Sequence, residues 1–161
     1  YVHIAHNCRV GSGCVLANGV QLAGHVEVFE GANLGGLVGV HQFCRIGELA
    51  MVGACSYVNK DIPPFALASG RPCRIRGLNV VGLGRAGLGE PVIGVLKKAF
   101  GLLYHSGLNL GQALDSIVTE LLPAKEPGPG SEQLQKLIDF CRSSSRGIEL
   151  RIGPEEEPET Q

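Results

Sequence analysis

Four of the chain's five histidines, His3, His6, His25 and His41, fall within its first 41 residues. A neutral imidazole is the usual general base near pH 7, so histidines gathered on one surface suit proton transfer from a bound hydroxyl. Asn7 follows His6, and Gln42 follows His41. Gly24 lies eighteen residues after His6. A glycine beside a base lets a substrate approach the backbone and offers an N–H to a developing oxyanion. Base, oxyanion donor and polar flankers are the parts needed for a hydroxyl to attack an acyl carbonyl. They form a site only if the fold makes residues eighteen apart neighbours.

The elements that do this are written in a ladder. Ile4, Val10, Leu16, Leu22, Val28, Leu34, Val40, Ile46, Val52 and Val58 recur every six residues. Six is neither the helical period nor one that hairpin sheets keep for ten steps. It is the signature of a parallel β-helix. Three hexads make an 18-residue coil, with rungs about 4.8 Å apart. The hexapeptide pattern predicts the left-handed form, against the usual rule for parallel crossovers. Counted modulo eighteen, His3 falls at phase 3, His41 at 5, His6, Gly24 and Gln42 at 6, and Asn7 and His25 at 7. These residues share one narrow strip over three coils. The phase of Asn7 also holds Gly13, Gly19, His25 and Gly31, types suited to a left-handed corner. From Leu37 that phase turns apolar, so the corners need not be uniform. Asn7 reads equally as a corner residue and as a carboxamide accepting the His6 ring N–H.

The chain has 161 residues, 24 of them Gly and none Trp, which suits short strands and tight corners. Its formal charge of −1 points to neither nucleic acid nor a membrane surface. Residues 1–88 carry seven Lys/Arg against four Asp/Glu, and residues 89–161 carry seven against eleven. No stretch reads as a membrane span or a signal peptide. The chain opens in phase inside a repeat, which reads as a piece of a longer solenoid. Cys8, Cys14 and Cys44 share one phase with Val2, Val20, Val26, Ala32, Val38, Ala50, Ser56 and Ile62, a small inward-facing position. That usage predicts a reducing, cytoplasmic setting.

The expected architecture is a β-solenoid plus α. A left-handed β-helix fills residues 1–64, ending at Asp61-Ile62-Pro63-Pro64, where two prolines cannot donate to a further rung. Residues 65–88 read as an irregular last rung and crossing loop. Residues 89–153 form a C-terminal helical domain of about three helices. Pro91 opens the first, Pro123 stops the second, a linker follows from Lys125, and Ser131 caps the third. Residues 154–161 are an acidic, disordered tail.

Three histidines can hold zinc, but no Asp, Glu or Cys joins the strip, and His3 and His6 are three apart around a corner. The expectation is no metal and no cofactor. No serine sits in a nucleophile elbow.

The segments His3-Ile4-Ala5-His6-Asn7-Cys8, Leu22-Ala23-Gly24-His25-Val26 and Val40-His41-Gln42-Phe43-Cys44 resemble the acyl-[acyl-carrier-protein]–UDP-N-acetylglucosamine O-acyltransferase family, as do Asn79, Arg85 and Ser145-Arg146-Gly147. The family carries out the first step of lipid A synthesis. The resemblance implies a homotrimer with its substrate groove between neighbours. It makes His6 the base that takes the proton of the glucosamine 3-hydroxyl, and the Gly24 N–H the oxyanion donor. His3, His25, His41 and Gln42 would line the groove, with Asn79 and Arg85 near the nucleotide. The donor would be an (R)-3-hydroxyacyl group on acyl carrier protein, and Arg71, Arg74 and Arg76 would be a docking patch or ordinary loop charge. Two positions depart from the family: Asn7 stands where Asp is frequent, as in the sister N-acyltransferase, and Ala86 where a second Arg is frequent. The N-acyltransferase, a zinc-binding solenoid and a non-catalytic trimeric solenoid stay open as alternatives.

Overall fold

The computed structural model describes residues 1–122 and 127–153. The acidic tail, and the positions around Pro123 and Lys125, lie outside the described residues. Ten two-residue strands wind first. β1 (His3–Ile4), β4 (Gln21–Leu22), β7 (Gly39–Val40) and β10 (Tyr57–Val58) stack into a first sheet. β2 (Arg9–Val10), β5 (Glu27–Val28) and β8 (Arg45–Ile46) form a second. β3 (Val15–Leu16), β6 (Asn33–Leu34) and β9 (Met51–Val52) belong to a third. Every pairing is parallel with an offset of eighteen, as in His3 with Gln21 and Gln21 with Gly39. The solenoid therefore has about four turns on its first face.

From β4 onward each strand buries its second residue. Leu22, Leu34, Ile46, Val52 and Val58 are fully buried, and each such side chain contributes about 1.5–3 kcal/mol. The second inward phase is buried as well, through Val20, Val26, Ala32, Val38, Cys44 and Ala50. All six cysteines are free.

The left-handed corner conformation persists through Cys55, although the later corner residues turn apolar. Leu37, Phe43, Leu49 and Cys55 all have φ between 53° and 64°, matching Asn7 and His25 at 61°. A bulky residue in this region costs roughly 1–3 kcal/mol and persists only where its surroundings over-determine it. Here the backbone N–H of each is tied one coil down: Leu37 to Asn18 O at 2.9 Å, Phe43 to Gly24 O at 3.1 Å, Leu49 to Glu30 O at 2.9 Å. The lower corner glycines make room for the side chains above. A Cβ on Gly19 would lie 2.7 Å from Leu37 Cδ2, and one on Gly31 2.6 Å from Leu49 Cδ2.

The solenoid does not stop at the prolines, and residues 65–88 are not irregular. Ile62 pairs with Ile46, an offset of sixteen, so the fourth coil is two residues short at the corner before Ile62. Ile62 thus occupies the ladder position itself, not the smaller phase assigned from its number. β11 (Ala66–Ser69) keeps the new offset, pairing Ala68 with Val52. It extends the third sheet and turns back antiparallel into β12 (Arg74–Leu78). Proline is accepted here because the corner bond is made by Phe65 N–H to Glu48 O at 2.8 Å, beyond both prolines. A short helix α1 (Val80–Arg85) follows.

α2 (Glu90–Tyr104) packs against both α3 (Leu110–Leu121) and α4 (Ser131–Arg142). They bury Leu96, Ala99, Ile117, Leu134, Leu137 and Ile138. Ser131 does not cap α4: Gly130, at φ 79°, is the cap residue, and the buried Ser131 Oγ meets no partner among the described residues.

Asp61 fastens these parts together. Its fully buried carboxylate accepts from Arg45 N at 2.8 Å, Arg45 Nε at 3.0 Å and Ser144 Oγ at 2.7 Å. Its backbone exchanges bonds with the C-terminal segment, Asp61 N to Gly147 O and Glu149 N to Asp61 O, each 2.9 Å. Asp61→Ala strands three donors, two on Arg45 and one on Ser144, and is expected to destabilise the fold by about 3–5 kcal/mol. Urea unfolding followed by circular dichroism measures this; a loss below about 1 kcal/mol contradicts it.

Candidate active site

The corner between the first and second sheets carries His6-Asn7, Gly24-His25 and Gln42-Phe43 on successive rungs. The left-handed backbone at Asn7 and His25 turns their side chains along this edge. Asn7 Oδ1 lies 3.0 Å from His6 Nδ1. A carboxamide oxygen only accepts, so Nδ1 carries the proton and Nε2 keeps its lone pair. Asn7 thus fills both of its expected places, as corner and as partner of the ring.

Nε2 faces Gly24. A Cβ at Gly24 would sit 2.7 Å from both His6 Nε2 and Cε1, so only glycine fits under the imidazole in this position. The Gly24 N–H meets no acceptor among the described residues. Neither does the N–H at the equivalent corner positions Ser12, Asn18, Glu30 and Gly36. Gly24 differs from those four in being buried. A donor without a partner in a buried residue is rare enough to need an explanation, and beside an imidazole it is placed to suit an oxygen that acquires charge.

His25 meets the His6 ring edge-on at 5.1 Å and stacks on Phe43 at 4.8 Å. Phe43 was overlooked in the sequence reading, where its phase suggested only an apolar corner. Gln42 is exposed one rung above Gly24. His3 and His41 line a groove of about 370 Å³ on the outer face of the first sheet, together with Gln21, Gly39 and Tyr57. His41 Nδ1 lies 2.9 Å from a guanidinium nitrogen of Arg146, a residue more than a hundred positions away. Beneath this edge, burial first and the Asp61 carboxylate second push the Cys44 thiol up to about 11, against an opposing effect of Arg146. Cys44 is therefore an uncharged filler at pH 7 and no nucleophile. Among the described residues no three His, Cys, Asp or Glu side chains converge as a metal site would require.

Asn79 and Arg85 lie elsewhere. They line a cavity of about 590 Å³ against Asn33, Met51 and Leu67 of the third sheet, at the corner of Gly13, Gly31 and Leu49. Asn79 is largely committed to structure, accepting from Gly82 N at 3.1 Å and donating to Leu49 O at 2.8 Å. Arg85 forms no ion pair or hydrogen bond among the described residues, and its guanidinium is open to a ligand. Within one chain, then, the histidine edge and the Arg85 cavity occupy different corners of the prism. Another cavity, about 610 Å³ between Phe29, Arg45, Lys136 and Phe140, contains no histidine.

The arginines between residues 71 and 76 are not a free patch. Arg74 pairs with the buried Glu149 at 3.2 Å, Arg76 Nε donates to Ser69 Oγ, and Arg71 Nε donates to Cys55 O.

Residues 61–149 match the model of the UDP-N-acetylglucosamine O-acyltransferase family, domain 2. The chain belongs to this family. Over 148 residues it is 45% identical to the acyl-[acyl-carrier-protein]–UDP-N-acetylglucosamine O-acyltransferase of Burkholderia mallei (strain SAVP1), covering 92% of this chain and 55% of that one. The enzyme of the same name from Gloeothece citriformis is 43% identical over 154 residues, covering 96% and 52%. The solved UDP-N-acetylglucosamine O-acyltransferase of Moraxella catarrhalis superposes with a TM-score of 0.83 at 40% identity, over 92% of this chain and 55% of that one. The Arabidopsis UDP-N-acetylglucosamine acyltransferase does so with 0.80 at 34%, over 91% and 52%. The chain spans about half the length of these O-acyltransferases.

Gly24→Ala tests the packing at the His6 ring. Gly24 does not have a positive φ, so the backbone accepts alanine, and the conflict falls on the His6 ring. The expected outcome is a stability change of about 1 kcal/mol or less and loss of the nuclear Overhauser contacts between His6 and His25. Retained contacts would show that the ring does not depend on this glycine.

Proposed function

We propose that the parent protein transfers an (R)-3-hydroxyacyl group from acyl carrier protein to the 3-hydroxyl of UDP-N-acetylglucosamine, the first step of lipid A synthesis. The observation that carries this reading is the buried, unpartnered Gly24 N–H one rung from an imidazole whose Nδ1 is held by Asn7. The relatives' names supply the two substrates.

In this reading His6 Nε2 takes the proton of the 3-hydroxyl as its oxygen attacks the thioester carbonyl. The Gly24 N–H receives the oxyanion of the tetrahedral intermediate. Collapse breaks the C–S bond, and the imidazolium returns the proton to the leaving carrier-protein thiolate. No enzyme nucleophile, metal or cofactor is needed in this sequence. His3, His25, His41 and Gln42 hold the sugar and acyl portions along the edge, and Asn79 and Arg85 frame the nucleotide, Arg85 as a phosphate partner.

The coil is taken to be left-handed, as the hexapeptide repeat suggests, and α2–α4 to form a C-terminal helical domain. The assembly is taken to be a homotrimer. Supporting this, the Arg85 cavity and the His6 edge lie on different corners of one chain, so a shared site needs a neighbouring copy. The setting is taken to be cytoplasmic; among the described residues no helix is long and apolar enough to cross a membrane.

His6→Ala in the full-length parent should lower turnover by about 10²–10⁴-fold while the fold persists. Turnover is measured with acyl-carrier donors and UDP-N-acetylglucosamine, and undiminished turnover refutes His6 as the base. Co-assembly tests the shared site. His6→Ala and Arg85→Ala subunits, each inactive alone, should regain about a quarter of wild-type activity when mixed in random equimolar trimers. Failure to regain any activity, with mixed trimers verified by mass spectrometry, would place base and arginine in one subunit's site.

A further inference from the structure

The Arg146 guanidinium approaches His41 Nδ1 at 2.9 Å from the far end of the chain. It is held there firmly. Arg146 Nε donates to Asn59 O at 3.3 Å. On either side, Ser144 Oγ donates to Asp61 Oδ2 at 2.7 Å and Gly147 O accepts from Asp61 N at 2.9 Å. The strap that carries Arg146 is thus clamped to the buried acid that closes the solenoid.

His41 Nδ1 has a second neighbour, the Gln42 carbonyl oxygen at 3.2 Å. The two make opposite demands. A carbonyl oxygen accepts only, and would require a proton on Nδ1. A guanidinium nitrogen donates only, and requires the Nδ1 lone pair. Both cannot be satisfied by one tautomer. The arginine contact is shorter and charge-assisted, and such bonds are roughly twice as strong as neutral ones. It prevails, so the proton sits on Nε2, which has no partner among the described residues.

We propose that Arg146 is a positioning residue that fixes His41 as the Nε2–H tautomer, making it a hydrogen-bond donor to an oxygen of the acceptor substrate. The proposal rests on the acyltransferase reading for its substrate alone; the tautomer follows from geometry. Two histidines on one edge then carry opposite tautomers. Asn7 leaves the His6 Nε2 with a lone pair, as a base must have, and Arg146 leaves the His41 Nε2 with a proton. Without Arg146 the Gln42 carbonyl takes over Nδ1, and His41 turns from donor to acceptor. The other ionisable groups facing His41 are His3 and Tyr57 across the groove and the uncharged Cys44 thiol beneath.

Long-range ¹H–¹⁵N spectra of the full-length protein, labelled at histidine, report the tautomer without any turnover. The wild type is expected to show His41 protonated on Nε2, and Arg146→Met to show it on Nδ1. Protonation on Nδ1 in the wild type overturns the proposal by itself, whatever the fate of the variant. So does an unchanged tautomer in a folded Arg146→Met protein. Kinetics supply the second arm. Arg146→Met should raise the KM for the nucleotide sugar by about three- to tenfold with kcat less affected. In a His41→Ala background the same substitution should add nothing, because its effect passes through the imidazole. A full additional effect there would reduce Arg146 to a structural strap and overturn the proposal. If the tautomer switches but the wild type transfers no acyl group, the positioning role stands and only the substrate reading falls.

Discussion

The Asp61 carboxylate stands in for a missing piece of backbone. In the lower coils the N–H at the start of each strand donates to a carbonyl seventeen residues ahead, as Arg9 does to Val26 O and Glu27 to Cys44 O. Arg45 has no such carbonyl, because the coil above it is two residues short, and Asp61 Oδ1 takes the bond instead. A carboxylate has a second oxygen, and this one ties Arg45 Nε and Ser144. The Arg45 guanidinium continues over the Phe140 ring at 4.3 Å and donates to Phe140 O. One side chain therefore ends the regular repeat, docks α4, and anchors the strap bearing Arg146. Fully buried, it holds these parts only because both of its oxygens have donors.

The offset of eighteen does for chemistry what Asp61 does for assembly. It places i and i+18 side by side without regard to residue type, so the site needs only the right residues at one phase. At the histidine corner that phase carries an imidazole, then a glycine, then a carboxamide. The unpartnered N–H is generic, recurring at Ser12, Asn18, Glu30 and Gly36. What the sequence adds at this edge is an imidazole lying against the glycine, in a residue that is buried where its equivalents are not. A hydrogen-bond donor out of water is stronger toward a developing charge than the same donor exposed.

Strand register and the inward phases were legible because a hexad ladder admits one arrangement; Leu22, Val40 and Val58 had nowhere else to go. The histidine edge was legible for the same reason, as was the adjacency of Gly24 and His6. What escaped was set by contacts the period does not encode. The step from Val58 to Ile62 is four, then six to Ala68, and this is the trace of the shortened coil; the adjacent prolines hid it by suggesting an end. Phe43 looked like a lapse of the corner rule because the period, which sets it one rung above His25, does not show that the two rings stack. Arg74 looked free until Glu149, seventy-five residues on, came to rest on it. Arg146 stood in the Ser145-Arg146-Gly147 segment, but nothing local in it pointed to His41.

The difference between near and far contacts bears on how such a site is controlled. His6 is set by its own neighbour, Asn7, so its tautomer belongs to the corner and survives any change elsewhere in the chain. His41 is set from the opposite end of the chain, through Arg146, and only when the segment from Ser144 to Glu149 lies against Asp61. The His6 contact thus lies wholly within the solenoid, whereas the His41 contact requires the C-terminal segment as well. A solenoid alone presents two imidazoles of unequal readiness. The helical segment completes the pair, and this gives the long return of the chain to its first sheet a chemical reason beyond packing.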